Sequence, residues 1–164
     1  MKTALVVVDV QNYFVNKYTT NIAKRISDFI SKHGQDFDSV IFTKFVNKED
    51  SSHAKLLNWR KCFTSPDTDI SPELSKFVNK NNVFVKSGYS EFKSKGFRDF
   101  LKKNDIKKLV FCGIDTDACI LATAFDAFDQ GYEVEILEDL CGSHSGKDFH
   151  ECAMRIMRKS ILKK

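Results

Sequence analysis

Two prolines and seven glycines leave this 164-residue chain no material for a disordered linker, and no internal repeat or low-complexity stretch interrupts it. It has no CxxC pair. Its five cysteines, Cys62, Cys112, Cys119, Cys141 and Cys152, are odd in number and irregularly spaced, which suggests neither a zinc site nor a disulfide framework. No apolar run approaches the roughly 20 residues of a membrane span, and the opening MKTALVVVDVQNYF lacks the small-residue cleavage site of a secretory signal. A concentrated charge of one sign is missing too: the net +4 is scattered over lysines on predicted helix faces, in turns and in the tail RIMRKSILKK. A nucleic-acid binder would carry a basic stripe or a reading motif. These absences predict a cytoplasmic protein with reduced thiols, no membrane partner and no nucleic-acid partner. At 42% hydrophobic residues, the chain is large enough to bury one core, and a single domain over 1–164 is expected.

Nucleotide-binding signatures are absent as well. The turn after the first apolar run, VQNYF, has no glycine, so the dinucleotide fingerprint is missing. GSHSGK at 142 has three residues between its glycines where a phosphate loop has four, and no Ser or Thr follows Lys147. Flavodoxin-like electron transfer would fit the strand pattern but finds no phosphate-binding loop. No cofactor is expected.

Five apolar runs are present: ALVVVDV from Ala4, VIFTKF from Val40, VFVK from Val83, KLVFCG from Lys108 and YEVEILED from Tyr132. They are near-continuously apolar, as strands covered on both faces are. Between them lie helical patterns at Asn21–His33, from Pro72 capped by Ser71 to about Lys80, at Phe97–Lys103, and from about Asp117 to Gln130 with Gly131 as its left-handed stop. A last one, Lys147–Ile161, carries Phe149, Ala153, Ile156 and Met157 on one side. The alternation predicts a doubly wound, three-layer α/β/α domain on a mainly parallel sheet of five to six strands. The longest irregular stretch, about 47–70, is long enough to cover something.

Ligands of such sheets bind beyond the carboxyl ends of the strands. That rule selects Asp9 after the first strand, Lys86 after the third and Cys119 after the fourth. Each has a plainer role: a turn-capping carboxylate, a solvated lysine, a small buried hydrophobe. Together they are an acid, a cation and a thiol at one sheet edge, where Asp9 and Lys86 offer each other a counter-charge. Cys119 also opens a helix, whose N–H groups and dipole favour a thiolate.

The runs VVVDVQNYF, VFVKSGYSEF and CGIDTDACILATAFDAFDQGYEVEILEDLCGSHS, in that order, resemble the isochorismatase-like cysteine hydrolases over almost the whole chain. The resemblance implies a catalytic triad of Asp9, Lys86 and Cys119, and a cis peptide between Ile114 and Asp115. It also implies an oxyanion hole from the backbone at Asp115 and Cys119. Gln11 and Phe14 match pocket-wall positions; Trp59, Tyr89 and Phe92 are pocket or core residues. The implied activity is hydrolysis of a C–N bond in a small molecule through a thioester, with vinyl ether hydrolysis and a non-catalytic redox sensor as alternatives. A homo-oligomer, dimer or tetramer, is implied. Nicotinamidases of this family hold a metal partly through an Asp-x-His run; here TKFVNKEDSSH spaces Asp50 and His53 differently, so an ordinary surface loop and no metal are expected. His144 and His150 follow the fifth strand near the same sheet edge; a solvated loop and helix are expected for them, with a place on the pocket wall for one as the alternative.

Overall fold

The computed structural model describes residues 1–163. Its five strands, β1 (Thr3–Val8), β2 (Ser39–Phe45), β3 (Val83–Lys86), β4 (Lys108–Ile114) and β5 (Glu133–Gly142), pair in the order β3-β2-β1-β4-β5, all parallel. Parallel neighbours need crossovers: helix α1 (Ile22–His33) lies between β1 and β2, α3 (Lys95–Lys103) between β3 and β4, and α4 (Leu121–Asp129) between β4 and β5, while α5 (Lys147–Ser160) follows the last strand. β1 and β4 are buried from Ala4 to Val8 and from Leu109 to Ile114, because both lie inside the sheet and helices cover it. The core around them includes Phe42, Phe97, Phe111, Ile26 and Leu101, all fully buried. A buried side chain of this size contributes about 1.5–3 kcal/mol over its exposed state.

Strand order reverses between β1 and β4, which opens a crevice at their carboxyl ends. Gly113 lets the two strands close up beneath it: at φ +121°, a Cβ there would lie 2.2 Å from the Val8 carbonyl oxygen. Gly131, at φ +85°, is the expected left-handed stop after α4.

Several elements differ from the sequence expectation. The helix expected to run to Lys80 is a 3-10 turn over Pro72–Phe77, and the Ser71 side chain makes no cap bond. Its brevity follows from Asn79, whose side chain accepts the Asn81 N–H, and Asn82, whose side chain accepts the Asn79 N–H and donates to the Phe77 carbonyl, which close a turn instead. The irregular 47–70 stretch holds a short helix, α2 (Ser52–Leu56), capped by Ser51. The helix expected from Asp117 begins as a π turn over Thr116–Ile120 and becomes α-helical at Leu121. On α5, Ala153, Met154 and Met157 face inward, whereas Phe149 and Ile156 are about half exposed. Both sit roughly 100° around the helix from the centre of that buried face.

Candidate active site

Asp9, Lys86 and Cys119 converge beyond the strand ends. Asp9 follows β1 with φ +45°, a left-handed conformation that Asp tolerates better than most side chains. The turn aims its carboxylate at the Thr43 hydroxyl, which donates to Oδ1 at 2.8 Å, and into an ion pair with Lys86, whose Nζ lies 2.7 Å from Oδ2. Lys86, the last residue of β3, also donates to the carbonyls of Gly88 at 3.0 Å and Tyr89 at 2.8 Å, and to Cys119 Sγ at 3.1 Å. All three residues are buried. Burial pulls an ammonium down, yet Asp9, Glu91 and Cys119 outweigh it and hold Lys86 charged, well above the ordinary lysine range.

Cys119 sits in the π turn, only 7% exposed. Burial raises its thiol well above the ordinary range, against the pull of Lys86. That direction favours the thiol over the thiolate, and Lys86 is the cation that lies against the sulfur. The backbone here is tightly tied: Ile120 N–H donates to the Asp115 carbonyl at 3.0 Å, and the Thr123 hydroxyl donates to the Cys119 carbonyl at 2.6 Å. The Ile114–Asp115 peptide bond is cis.

Above the sulfur lies a cleft of about 360 Å³, a size that suits a small molecule. Cys119 is the one cysteine on its wall; Phe14, Phe45, Trp59 and Tyr89 supply aromatic sides. Gln11 does not reach it. That amide is fully buried, donating to the carbonyls of Phe45 and Thr68 and accepting the Phe45 N–H at 2.7 Å, so it braces the loop against β2. Phe92 is core, packed edge-on against Phe97.

Two histidines expected in solvated segments line the cleft. His53 is buried among Phe45, Trp59 and Tyr89, because α2 turns it inward. Burial and the nearby Lys86 hold its pKa low. His144 Nδ1 lies 2.5 Å from Asp115 Oδ2, and its backbone N–H donates to Oδ1, so Asp115 anchors the 142–146 turn rather than capping a helix. The bond to Asp115 raises the His144 pKa. His150 Nδ1 is paired with the Thr116 hydroxyl at 2.8 Å. Asp50 is exposed, and among the described residues no three His, Cys, Asp or Glu side chains converge as metal ligands would. These donors do not fit a metal cage.

Sequence reasoning missed Glu91. It is fully buried, with Oε1 3.1 Å from Lys86 Nζ. Its signal was an acid flanked by Ser90 and Phe92 in a segment that otherwise carries no acid, five residues after the lysine.

The isochorismatase domain model matches residues 3–163. The isochorismatase family protein YddQ of Bacillus subtilis, itself uncharacterised, is 29% identical over 156 residues, 87% of this chain and 79% of that protein. In fold, the chain is similar to nicotinamidase PncA from Bacillus subtilis, with a TM-score of 0.85 at 24% identity over 98% of this chain and 97% of that one. It is also similar to N-carbamoylsarcosine amidase from Thermoplasma acidophilum, with a TM-score of 0.79 at 22% identity over 95% and 92%. With a buried acid, cation and thiol beneath a small-molecule cleft and a family match over nearly its whole length, the chain belongs to the isochorismatase family of hydrolases.

Proposed function

We propose that this protein hydrolyses an amide or carbamoyl-type C–N bond of a small molecule, with Cys119 as nucleophile, Asp9 as general base and acid, and Lys86 as their electrostatic partner. The observation that carries the reading is the single buried ammonium 2.7 Å from Asp9 Oδ2 and 3.1 Å from Cys119 Sγ, the sulfur being the one of the three groups that lines the cleft. Because burial favours the thiol, the thiolate forms as its proton passes to Asp9, with Lys86 stabilising charge on whichever partner carries it. The thiolate attacks the carbonyl carbon. Backbone N–H groups at Asp115 and Cys119 are the proposed oxyanion donors, each worth on the order of 3 kcal/mol when well placed. Asp9 returns its proton to the leaving nitrogen, and water activated by Asp9 hydrolyses the thioester.

Phe14, Trp59 and Tyr89 are the proposed substrate walls, since all three line the cleft. Similarity to a nicotinamidase and an N-carbamoylsarcosine amidase supports C–N chemistry. The test is ammonia release over small amides and carbamoyl compounds, with isochorismate turnover followed in parallel, for wild type and Cys119→Ala. Wild type is expected to release ammonia from at least one, and the variant to lose about 10³-fold or more. Full turnover by Cys119→Ala would contradict the reading, and activity on isochorismate alone would assign the ether chemistry instead.

A further inference from the structure

The buried cluster contains one more acid than the proposed chemistry uses. Around Lys86 Nζ stand five acceptors, Asp9 Oδ2 at 2.7 Å, the Tyr89 carbonyl at 2.8 Å, the Gly88 carbonyl at 3.0 Å, and Cys119 Sγ and Glu91 Oε1 at 3.1 Å each. An ammonium has three protons to give. Asp9 Oδ1 accepts from the Thr43 hydroxyl, whereas neither Glu91 oxygen receives a directed hydrogen bond; Asp9 Oδ2 and Glu91 Oε1 both meet Lys86 by distance alone, so Asp9 has one bonded oxygen and Glu91 has none. An ionised carboxylate buried without donors is unfavourable, and holding a proton removes that cost.

Charge counting points the same way. Three acidic groups, Asp9, Glu91 and Cys119, share one ammonium, so two protons among them bring the site to zero. We propose that Glu91 is a positioning residue that holds one of those two protons throughout turnover near neutral pH, leaving the other to move between Cys119 and Asp9 in a site whose net charge stays at zero. This inference rests on the reading of Cys119 as the nucleophile.

With Glu91 neutral, transfer of the thiol proton to Asp9 exchanges one negative group for another and draws no proton from solvent. When the sulfur electron pair bonds the carbonyl carbon and the C–N pair departs, Asp9 gives its proton to the nitrogen, and Asp9 and Lys86 again balance. Water then delivers one proton to Asp9 and its oxygen to the carbonyl carbon. The C–S pair returns to sulfur, which recovers the proton from Asp9. Glu91 keeps its own throughout.

The groups facing Glu91 from each packed element fit this role. They are Asp9 after β1, the Thr43 hydroxyl of β2, Lys86 of β3 and Cys119 of the π turn, while Thr123 of α4 accepts the Glu91 N–H at 3.1 Å. Burial, acting against the pull of Lys86, lifts the Glu91 carboxyl to about 8. Above that range its ionisation adds a negative charge beside Lys86 and opposes formation of the thiolate.

The test needs no substrate. Iodoacetamide alkylation of Cys119 is followed by peptide mass mapping in wild type and Glu91→Gln, with exposed Cys152 in the same molecules as the reagent standard. From about pH 6.5 to about pH 9.5, the variant-to-wild-type ratio of Cys119 labelling is expected to rise on the order of tenfold, because glutamine cannot acquire the opposing charge. A flat ratio overturns the proposal. Labelling of Cys152 without Cys119 in both proteins overturns the nucleophile reading itself, a separate outcome. If Glu91→Gln does not fold, infrared titration of wild type carrying ¹³C at the glutamate δ-carbons decides the matter. A protonated-carboxyl band lost near pH 8 supports the proposal, and its absence at about pH 6.5 overturns it.

Discussion

At the scale of single residues, the site is a problem of buried charge. Lys86 is tolerable in the interior because the Asp9 carboxylate, the Glu91 carboxyl, two carbonyls and a sulfur surround it, and removal of Asp9 leaves the ammonium exposed to the low-dielectric cost. The cleft histidines respond to the same field in opposite directions. His53 is held neutral by burial and Lys86, so its contribution to stability is present above the unfolded-state pKa of about 6.5 and is lost as pH falls through its lower folded value. His144 gains from Asp115 below that unfolded pKa and loses the gain as pH rises through its raised folded value. In thermal melts between about pH 7.5 and pH 5, His53→Phe is therefore expected to lose less stability on acidification than wild type. Parallel curves would contradict the account. The sequence made Asp9, Lys86 and Cys119 legible because strand ends mark where a doubly wound sheet binds. It did not disclose Glu91 or His53, since only long-range packing brings one to Lys86 and the other to the cleft; it offered His144 a pocket place only as an alternative to a solvated loop, and it assigned Gln11 to a wall that its amide never reaches.

At the scale of elements, β1 and β4 carry the site at their adjacent ends, and their close approach depends on Gly113. Any Cβ at this position would meet the Val8 backbone at 2.2–2.9 Å, with φ +121° adding further strain. Gly113→Ala is expected to destabilise the protein by about 3 kcal/mol or more, read as a lower midpoint in urea unfolding; an unshifted midpoint would show that the strands do not constrain each other there. Strands were the most readable elements, because buried parallel strands are continuous apolar runs with few alternatives. Helix starts were less so. Capping residues at 115–117 suggested a regular N-terminus, yet the Asp115 side chain is drawn to His144, 29 positions away, and the chain makes a π turn instead. On α5, the apolar positions alone could not distinguish the buried Ala153–Met157 face from the exposed Phe149 and Ile156.

At the scale of the whole molecule, one contiguous core joins β1, β2 and β4 to the flanking helices, and we propose that the described chain folds as a single unit around it. No helix of the described residues is long and apolar enough to cross a membrane. The switch between β1 and β4 then acts as a meeting point to which β1, β3 and the π turn each deliver one group of the proposed triad, with the aromatic cleft above. The account's central claim is covalent: the bond that breaks in the substrate is replaced for a time by a bond to Cys119. The direct measurement is acid quenching of the enzyme in mid-turnover with the amide that releases ammonia, followed by mass mapping of the cysteine peptides. The account predicts an added acyl mass on the Cys119 peptide alone, absent from Cys119→Ala; steady turnover by Cys119→Ala, or an adduct confined to another cysteine, would contradict it.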